Sequence, residues 1–357
     1  MIEIDCRDRI SESVAFLVDG KHFVNSGVDG KIRRWRVEDG KEVGIPMEVG
    51  NAVLDIALSR DGKWVVSGTI GEGVTVWNAE RHEKVPIGFK TDPGLVFAID
   101  VSPDGTRIAS GSGDLTACVW SLSTGEQLLG PLQHDNVVVG IKFSPDGRLL
   151  ATVTEDHCNA IRIYDSQTGC LLFDFPITIS DAASNHSLAW AGDSKQLFAL
   201  SRDNIYCLDA SDGTTLSHWP IHSRYPPVSI ALAGNGTFIA VAADTSVSFW
   251  DTTTYERIGS VIERTALVVS MAISTNYDIV VSTGAAISVV GLYSILPLKY
   301  LDGVSTAPLW VMTCCSCCRL PQIVRDGETF SVSVDLEKIE LPRTQTQDKG
   351  SSAPIAA

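Results

Sequence analysis

Positive charge is what this chain has least of: 28 lysines and arginines stand against 43 aspartates and glutamates, a formal charge of -15 at pH 7. A sequence-independent grip on nucleic-acid backbone needs clustered cations to displace counterions, so none is expected, and a protein with a basic surface is the matched partner. The start, Met1 to Asp5, lacks the basic n-region and long apolar run of a secretory leader, so a cytoplasmic location is expected, with the nucleus as the alternative. Nine unevenly spaced cysteines in such a setting read as reduced thiols rather than a disulfide framework, and the sequons at Asn185 and Asn235 are expected to go unused. Charged residues make up 20% and hydrophobic ones 44%, too little charge for a disordered chain and enough apolar material for a large core.

Catalytic and cofactor signatures are missing too. No GxxxxGK[ST] run cradles a phosphate, and the GSG at Gly111 to Gly113 falls short of the GxSxG of a nucleophile elbow. The histidines at 22, 82, 134, 157, 186, 218 and 222 form no catalytic constellation and are expected to be structural or surface groups. If the CCSCC run is the first strand of an eighth unit, alternation sends Cys315 and Cys317 to one face and Cys314 and Cys318 to the other, so four sulfurs cannot converge on zinc, and buried apolar thiols are expected ahead of metal binding or S-acylation. Neither metal nor cofactor is expected, nor enzyme activity. Lys31, Arg33, Arg34 and Arg36 surround Trp35, but alternation parts Arg33 from Arg34 and Arg36. The uncharged run Ile279 to Leu298 has the length of a membrane span, yet Ser282, Thr283, Gly284, Ser288 and Ser294 interrupt it and it is rich in β-branched residues. No membrane partner is expected.

What is present is a repeat. An apolar strand, a tight turn, a second strand and a third ending on a large side chain recur every 42 to 44 residues, most clearly in VFAIDVSPDG, TRIASGSGD and LTACVWSLSTG from Val96 to Gly125. Anchors fall at Trp35, Trp77, Trp120, Tyr164, Leu208 and Trp250; two further steps of 42 reach Leu292 and Val334. Turns such as Asp61-Gly62, Asp104-Gly105 and Asp146-Gly147 suit a hairpin, and segments such as Lys41 to Glu48 and Gln127 to Leu132 supply a fourth strand. Four antiparallel strands per unit that cannot bury both faces alone predict an all-β propeller. Eight anchors predict eight blades, with seven as the alternative. Subtracting one repeat from Lys41 to Glu48 places a ring-closing strand at Met1 to Cys6. Residues 1–341 are thus read as one propeller, and 342–357 as a disordered tail.

SPDG, ASGSGD and a Trp followed by a polar residue are similar to the WD40 family, over roughly residues 14 to 335. Within it the array most resembles those that follow nucleotide-binding domains in fungal NLR-like proteins. The resemblance implies a buried tetrad of His, Ser or Thr, Asp and Trp in each blade. Here His134, Thr152 and Asp156 match it with Tyr164 in place of Trp, while Ser110, Asp114 and Trp120 lack the His, with Asp92 at its position. It also implies a non-enzymatic scaffold for other proteins, monomeric on its own; the alternatives are the sensor of an NLR-like receptor and a propeller hydrolase or lyase with its site at the central channel. Candidate partner contacts lie in two loops that enter blades: Trp219, His222, Arg224 and Tyr225 in one, His134 and Asp135 in the other.

Overall fold

The computed structural model describes residues 1–6, 11–89, 95–155, 160–177, 187–224 and 228–301, and the backbone of 322–325 and 328–331. Two compact units are distinguished, Met1–Gly303 and Val304–Ala357. The first is a seven-bladed β-propeller. The described part of the second is one hairpin, Gln322–Arg325 paired antiparallel with Glu328–Ser331.

Blade 4 shows how the repeat becomes a blade. Val138–Phe143, Leu149–Thr154, Ile161–Asp165 and Leu171–Phe175 pair antiparallel in chain order. Asp146 locks the first turn by accepting the Ser144 hydroxyl at 2.6 Å and the Arg148 amide at 3.0 Å, and Gly147 takes the left-handed backbone the turn demands, φ 74°. That turn position has positive φ in every blade, at Gly20, Gly62, Gly105, Gly147, Ser194, Gly236 and Tyr277. The inner strands read as nearly continuous apolar runs because both faces of a blade are covered by its neighbours, whereas the outer strand Gln127–Gln133 is mostly exposed. Adjacent blades touch closely at Gly68 and Gly111, where a β-carbon would come within 2.9 Å of the Val96 and Val138 carbonyls of the next blade.

Seven first strands face the axis: Ser11–Phe16, Val53–Leu58, Val96–Val101, Val138–Phe143, Leu188–Trp190, Ser229–Leu232 and Ser270–Ile273, each against the next and the last against the first. Blade 2 has three named strands, Val53–Leu58, Trp64–Thr69 and Val74–Asn78, and only a bridge from Trp77 to Lys84 stands where its neighbours have a fourth.

The expectation of eight blades is therefore corrected to seven. Ile2–Asp5 does close the ring, but it pairs with Ala286–Gly291 and completes the seventh blade. The Ser11 amide donates to the Gly284 carbonyl at 2.9 Å, the Val14 amide to the Ser270 hydroxyl at 3.2 Å, and the Ser282 hydroxyl to the Ser11 carbonyl at 3.1 Å. Blades 7 and 1 are thus joined directly, and no gap is left for another. The seventh anchor also moves. Phe23 pairs with Trp35 and Ile239 with Trp250, and the same register pairs Ile279 with Val290. Leu292 is two residues past the anchor; its amide donates to the Tyr277 carbonyl as that of Leu122 does to Thr106, and it opens a 3-10 turn, Leu292–Ser294. The uncharged stretch from Ile279 is spent on strands of this blade, and among the described residues no helix is long and apolar enough to cross a membrane. Val334 as an eighth anchor, the cysteines 314 to 318 and the tail from 342 lie outside the described residues.

Candidate functional site

Charges buried in the propeller act as staples between blades. Asp55, 1% exposed on the first strand of blade 2, accepts the Ser13 hydroxyl of blade 1 at 3.0 Å and the Ile99 amide of blade 3 at 2.8 Å. One carboxylate thus ties three blades. Asp100 repeats the device one blade on, accepting the Phe143 amide at 2.8 Å and the Lys142 ammonium at 3.2 Å. Burial pushes the Asp100 carboxyl up, while Lys142 is held above its ordinary value against burial by the Asp100 and Asp55 charges. Neither Asp nor Lys in this row was singled out from sequence; the signal was a charge inside an otherwise apolar first strand. The adjoining cavity of about 340 Å³ is lined by Arg60, Asp100 and Lys142 together with apolar side chains such as Leu58, Phe143, Trp190 and Leu232.

In five of the seven blades the anchor side chain makes a hydrogen bond, and its partner varies. Trp120 donates to Ser110 Oγ at 2.8 Å, Trp35 to Asn25 Oδ1 at 2.7 Å, Trp77 to Thr75 Oγ1 at 3.1 Å and Trp250 to Ser248 Oγ at 2.9 Å. In blade 4 the His134 Nδ1 donates to the Leu132 carbonyl at 2.9 Å, which leaves the single Nε2 lone pair as an acceptor shared between Thr152 Oγ1 at 3.0 Å and the Tyr164 hydroxyl at 3.2 Å. The structure brings these three residues together; Asp156 and Asp92 lie outside the described residues. Asp114 is exposed and caps its own turn, accepting the Thr116 amide at 2.9 Å and hydroxyl at 2.7 Å.

Burial is the main reason the His134 pKa falls to about 4 from 6.5. A lowered pKa means the unfolded chain binds the extra proton first, so this contribution is complete above the unfolded value and is lost as pH falls from 6.5 towards 4. Urea unfolding at pH 7 and pH 5 is expected to differ by about 2 kcal/mol more in the parent than in His134→Gln. Equal differences in the two proteins would rule the effect out.

The loops that lead into first strands and the turns between second and third strands share one face of the ring, here called the entry face. Of the candidate contacts, Asp135 is exposed and pairs with Arg162 at 2.6 Å, and His222 and Arg224 are exposed, the Arg224 amide donating to Asp244 at 2.7 Å. Trp219 is not on the surface: it is 7% exposed and stacked on Tyr255 with ring centroids 4.5 Å apart. His134 is likewise internal, and Tyr225 lies outside the described residues. The cations around Trp35 are all engaged: Lys31 with Glu48 at 2.7 Å, Arg33 with Asp29 at 2.5 Å, Arg34 with Asp19 at 3.7 Å and Arg36 with Asp39 at 3.0 Å. His218 and His222 are four apart, but one is on the strand Thr215–Pro220 and the other past its end. Among the described residues no three of His, Cys, Asp and Glu gather as a metal would need.

Blades 3 and 4 are where comparison with known proteins is sharpest: residues 87–121 and 126–165 match the model of the WD domain, G-beta repeat. The chain carries WD40 repeats. Among similar proteins, apoptotic protease-activating factor 1 of Rattus norvegicus is 32% identical over 184 residues, 50% of this chain and 14% of that protein. Eukaryotic translation initiation factor 3 subunit I of Neurospora crassa is 30% identical over 186 residues, 50% of this chain and 53% of that one. Small ribosomal subunit protein RACK1y of Oryza sativa subsp. japonica is 32% identical over 139 residues, 38% and 40% of the two chains. The chain thus spans about half the length, or less, of these relatives. Set beside the WD40 pattern, the blades here differ chiefly at the anchor: five anchors bond to Asn25, Thr75, Ser110, His134 or Ser248, and in blades 5 and 7 the position holds the apolar Leu208 and Val290.

Proposed function

We propose that this WD40 propeller is a non-enzymatic platform that binds other proteins through its entry face, in the cytoplasm. The observation that carries the reading is the use made of its buried titratable groups. Asp55, Asp100, Lys142 and His134 are each consumed in bonds that hold blade to blade or strand to strand; Asp100 and Lys142 do line one cavity, with Arg60, but as an ion pair with each other whose carboxylate also takes the Phe143 amide, rather than as a free acid and base. A rigid ring that presents loops is suited to recognition. Relatives that are a translation initiation factor subunit and a ribosomal subunit protein by name are members of assemblies, which supports both the role and the location.

Exposed Asp135, His222 and Arg224 are assigned as partner contacts, and Arg is a residue type enriched at binding hot spots. The test is affinity capture from native cells with the parent and with a variant carrying both Asp135→Lys and Arg224→Glu, the fold of each checked by circular dichroism. Capture of the main partner is expected to fall about tenfold or more. Full capture by a folded variant would remove these loops as the binding surface.

A further inference from the structure

On the entry face, blades 2 and 3 expose three large apolar side chains that lie on neighbouring backbone. Ile70, 42% exposed, follows the second strand of blade 2 and forms an isolated antiparallel bridge with Leu95, 39% exposed, at the entrance to blade 3. The Leu95 carbonyl accepts the Gly113 amide at 2.9 Å, and two residues on stands Leu115, 38% exposed, whose carbonyl in turn accepts the His134 amide at 2.9 Å. The three therefore follow one arc around the ring, from blade 2 to the doorway of blade 4.

Leu115 is the odd member. Its φ is +71°, and the equivalent turn position in blade 1 is Gly30 at +73°. The left-handed region penalises any residue with a β-carbon, and a leucine left 38% exposed gains only part of the burial that could offset it. Glycine would serve the turn better, as it does in blade 1, so the turn itself does not account for the side chain. An unfavourable backbone that displays an apolar group beside two others is the pattern of a surface kept for contact.

Acid frames the arc. Asp114, next to Leu115, accepts the Thr116 amide and hydroxyl on Oδ1 and has no ion pair among the described residues. Glu72 lies two residues beyond Ile70 and is held only at 3.4 Å by Lys84 and by Asn51. Asp135 follows His134 with a side chain 74% exposed. The whole chain carries -15.

We infer that Ile70, Leu95 and Leu115 form a docking patch for an extended partner segment in which a large apolar side chain is flanked by lysine or arginine. The inference rests on the platform reading above and names the chemistry of the partner that one part of the entry face takes. The apolar anchor seats against the three side chains, and the flanking cations reach Asp114 and the neighbouring acids.

A random twelve-residue peptide library displayed on phage and selected on the folded full chain tests it. The most enriched peptide, synthesised and labelled, is then titrated by fluorescence anisotropy against the parent, Leu115→Gly and Asp114→Asn. Enriched sequences are expected to place Leu, Ile, Phe or Met beside Lys or Arg, and Leu115→Gly to weaken the peptide at least about tenfold. The unfolding midpoint of Leu115→Gly should be no lower than the parent's, since glycine relieves the left-handed backbone; a leucine with only a structural role would lower it. Asp114→Asn should weaken binding by a smaller factor that shrinks as salt is raised. The patch is overturned by peptides that bind Leu115→Gly within twofold of the parent, by enriched peptides without basic residues, or by no enrichment at all. Peptides insensitive to Leu115→Gly but lost with Arg224→Glu would sink the patch while the platform reading stands.

Discussion

Removing residues 1–6 is expected to lower the thermal unfolding midpoint by about 10 °C or more, or to abolish soluble expression, a larger effect than six terminal residues usually have. Ile2–Asp5 is the outer strand of the seventh blade, registered with Ala286 to Val289 across the ladder, and the Cys6 amide donates to the Ala285 carbonyl at 2.8 Å. Ile4 and Cys6 are 7% and 2% exposed and pack in one cluster with Val14, Phe23 and Trp35 of blade 1 and Val280, Ile287 and Val289 of blade 7. Burying an isoleucine is worth about 2–3 kcal/mol, and losing the strand also exposes its neighbours and a sheet edge, so about 5 kcal/mol or more is at stake. Ile4→Ala, which keeps the backbone ladder and removes only the side chain, should cost about 2–4 kcal/mol. A truncated protein that melts with the parent would show that the ring is not held shut by this strand.

Asp55→Ala is expected to destabilise the propeller by about 3–5 kcal/mol in urea unfolding, because it strips the Ile99 amide and the Ser13 hydroxyl of their acceptor at a site only 1% exposed. Asp55→Asn retains one acceptor oxygen and should fall between Ala and the parent. Ser13→Ala alone should cost about 1 kcal/mol, and in combination with Asp55→Ala add almost nothing, since the bond between them can be broken only once. Additive losses from the two changes would mean that the residues contribute independently and that the staple is not real.

Strand positions and turns were readable because they depend on neighbours in the chain. Asp146 and Gly147 make their turn with Ser144 and Arg148, all within five residues, and the same short-range chemistry recurs through blade 6. Where the turn residue changes to Tyr277 the repeat can still be followed, but a step of 42 from Trp250 lands on Leu292, two residues past the anchor Val290. Of the candidate contacts, Trp219 was read from its place near a loop, yet it ends up under Tyr255, 36 positions away in sequence, and nothing local announces that packing. Asp55 and Asp100 went unmarked for the same reason: each is a charge whose partners belong to other blades.

By itself the sequence determined the blade: a period near 42 residues, antiparallel strands from apolar runs, left-handed turn positions, and an N-terminal strand in phase with the outer strands. Tertiary structure alone decided that seven blades make the ring. Closure is a property of how far each blade is turned from the last, and no residue encodes it locally; the count stops where Ser270–Ile273 meets Ser11–Phe16 and Ile2–Asp5 occupies the free edge of Ala286–Gly291. A repeat can be extended along a sequence as long as its anchors are tolerably spaced. A ring accepts another blade only while a gap remains between the first and the last.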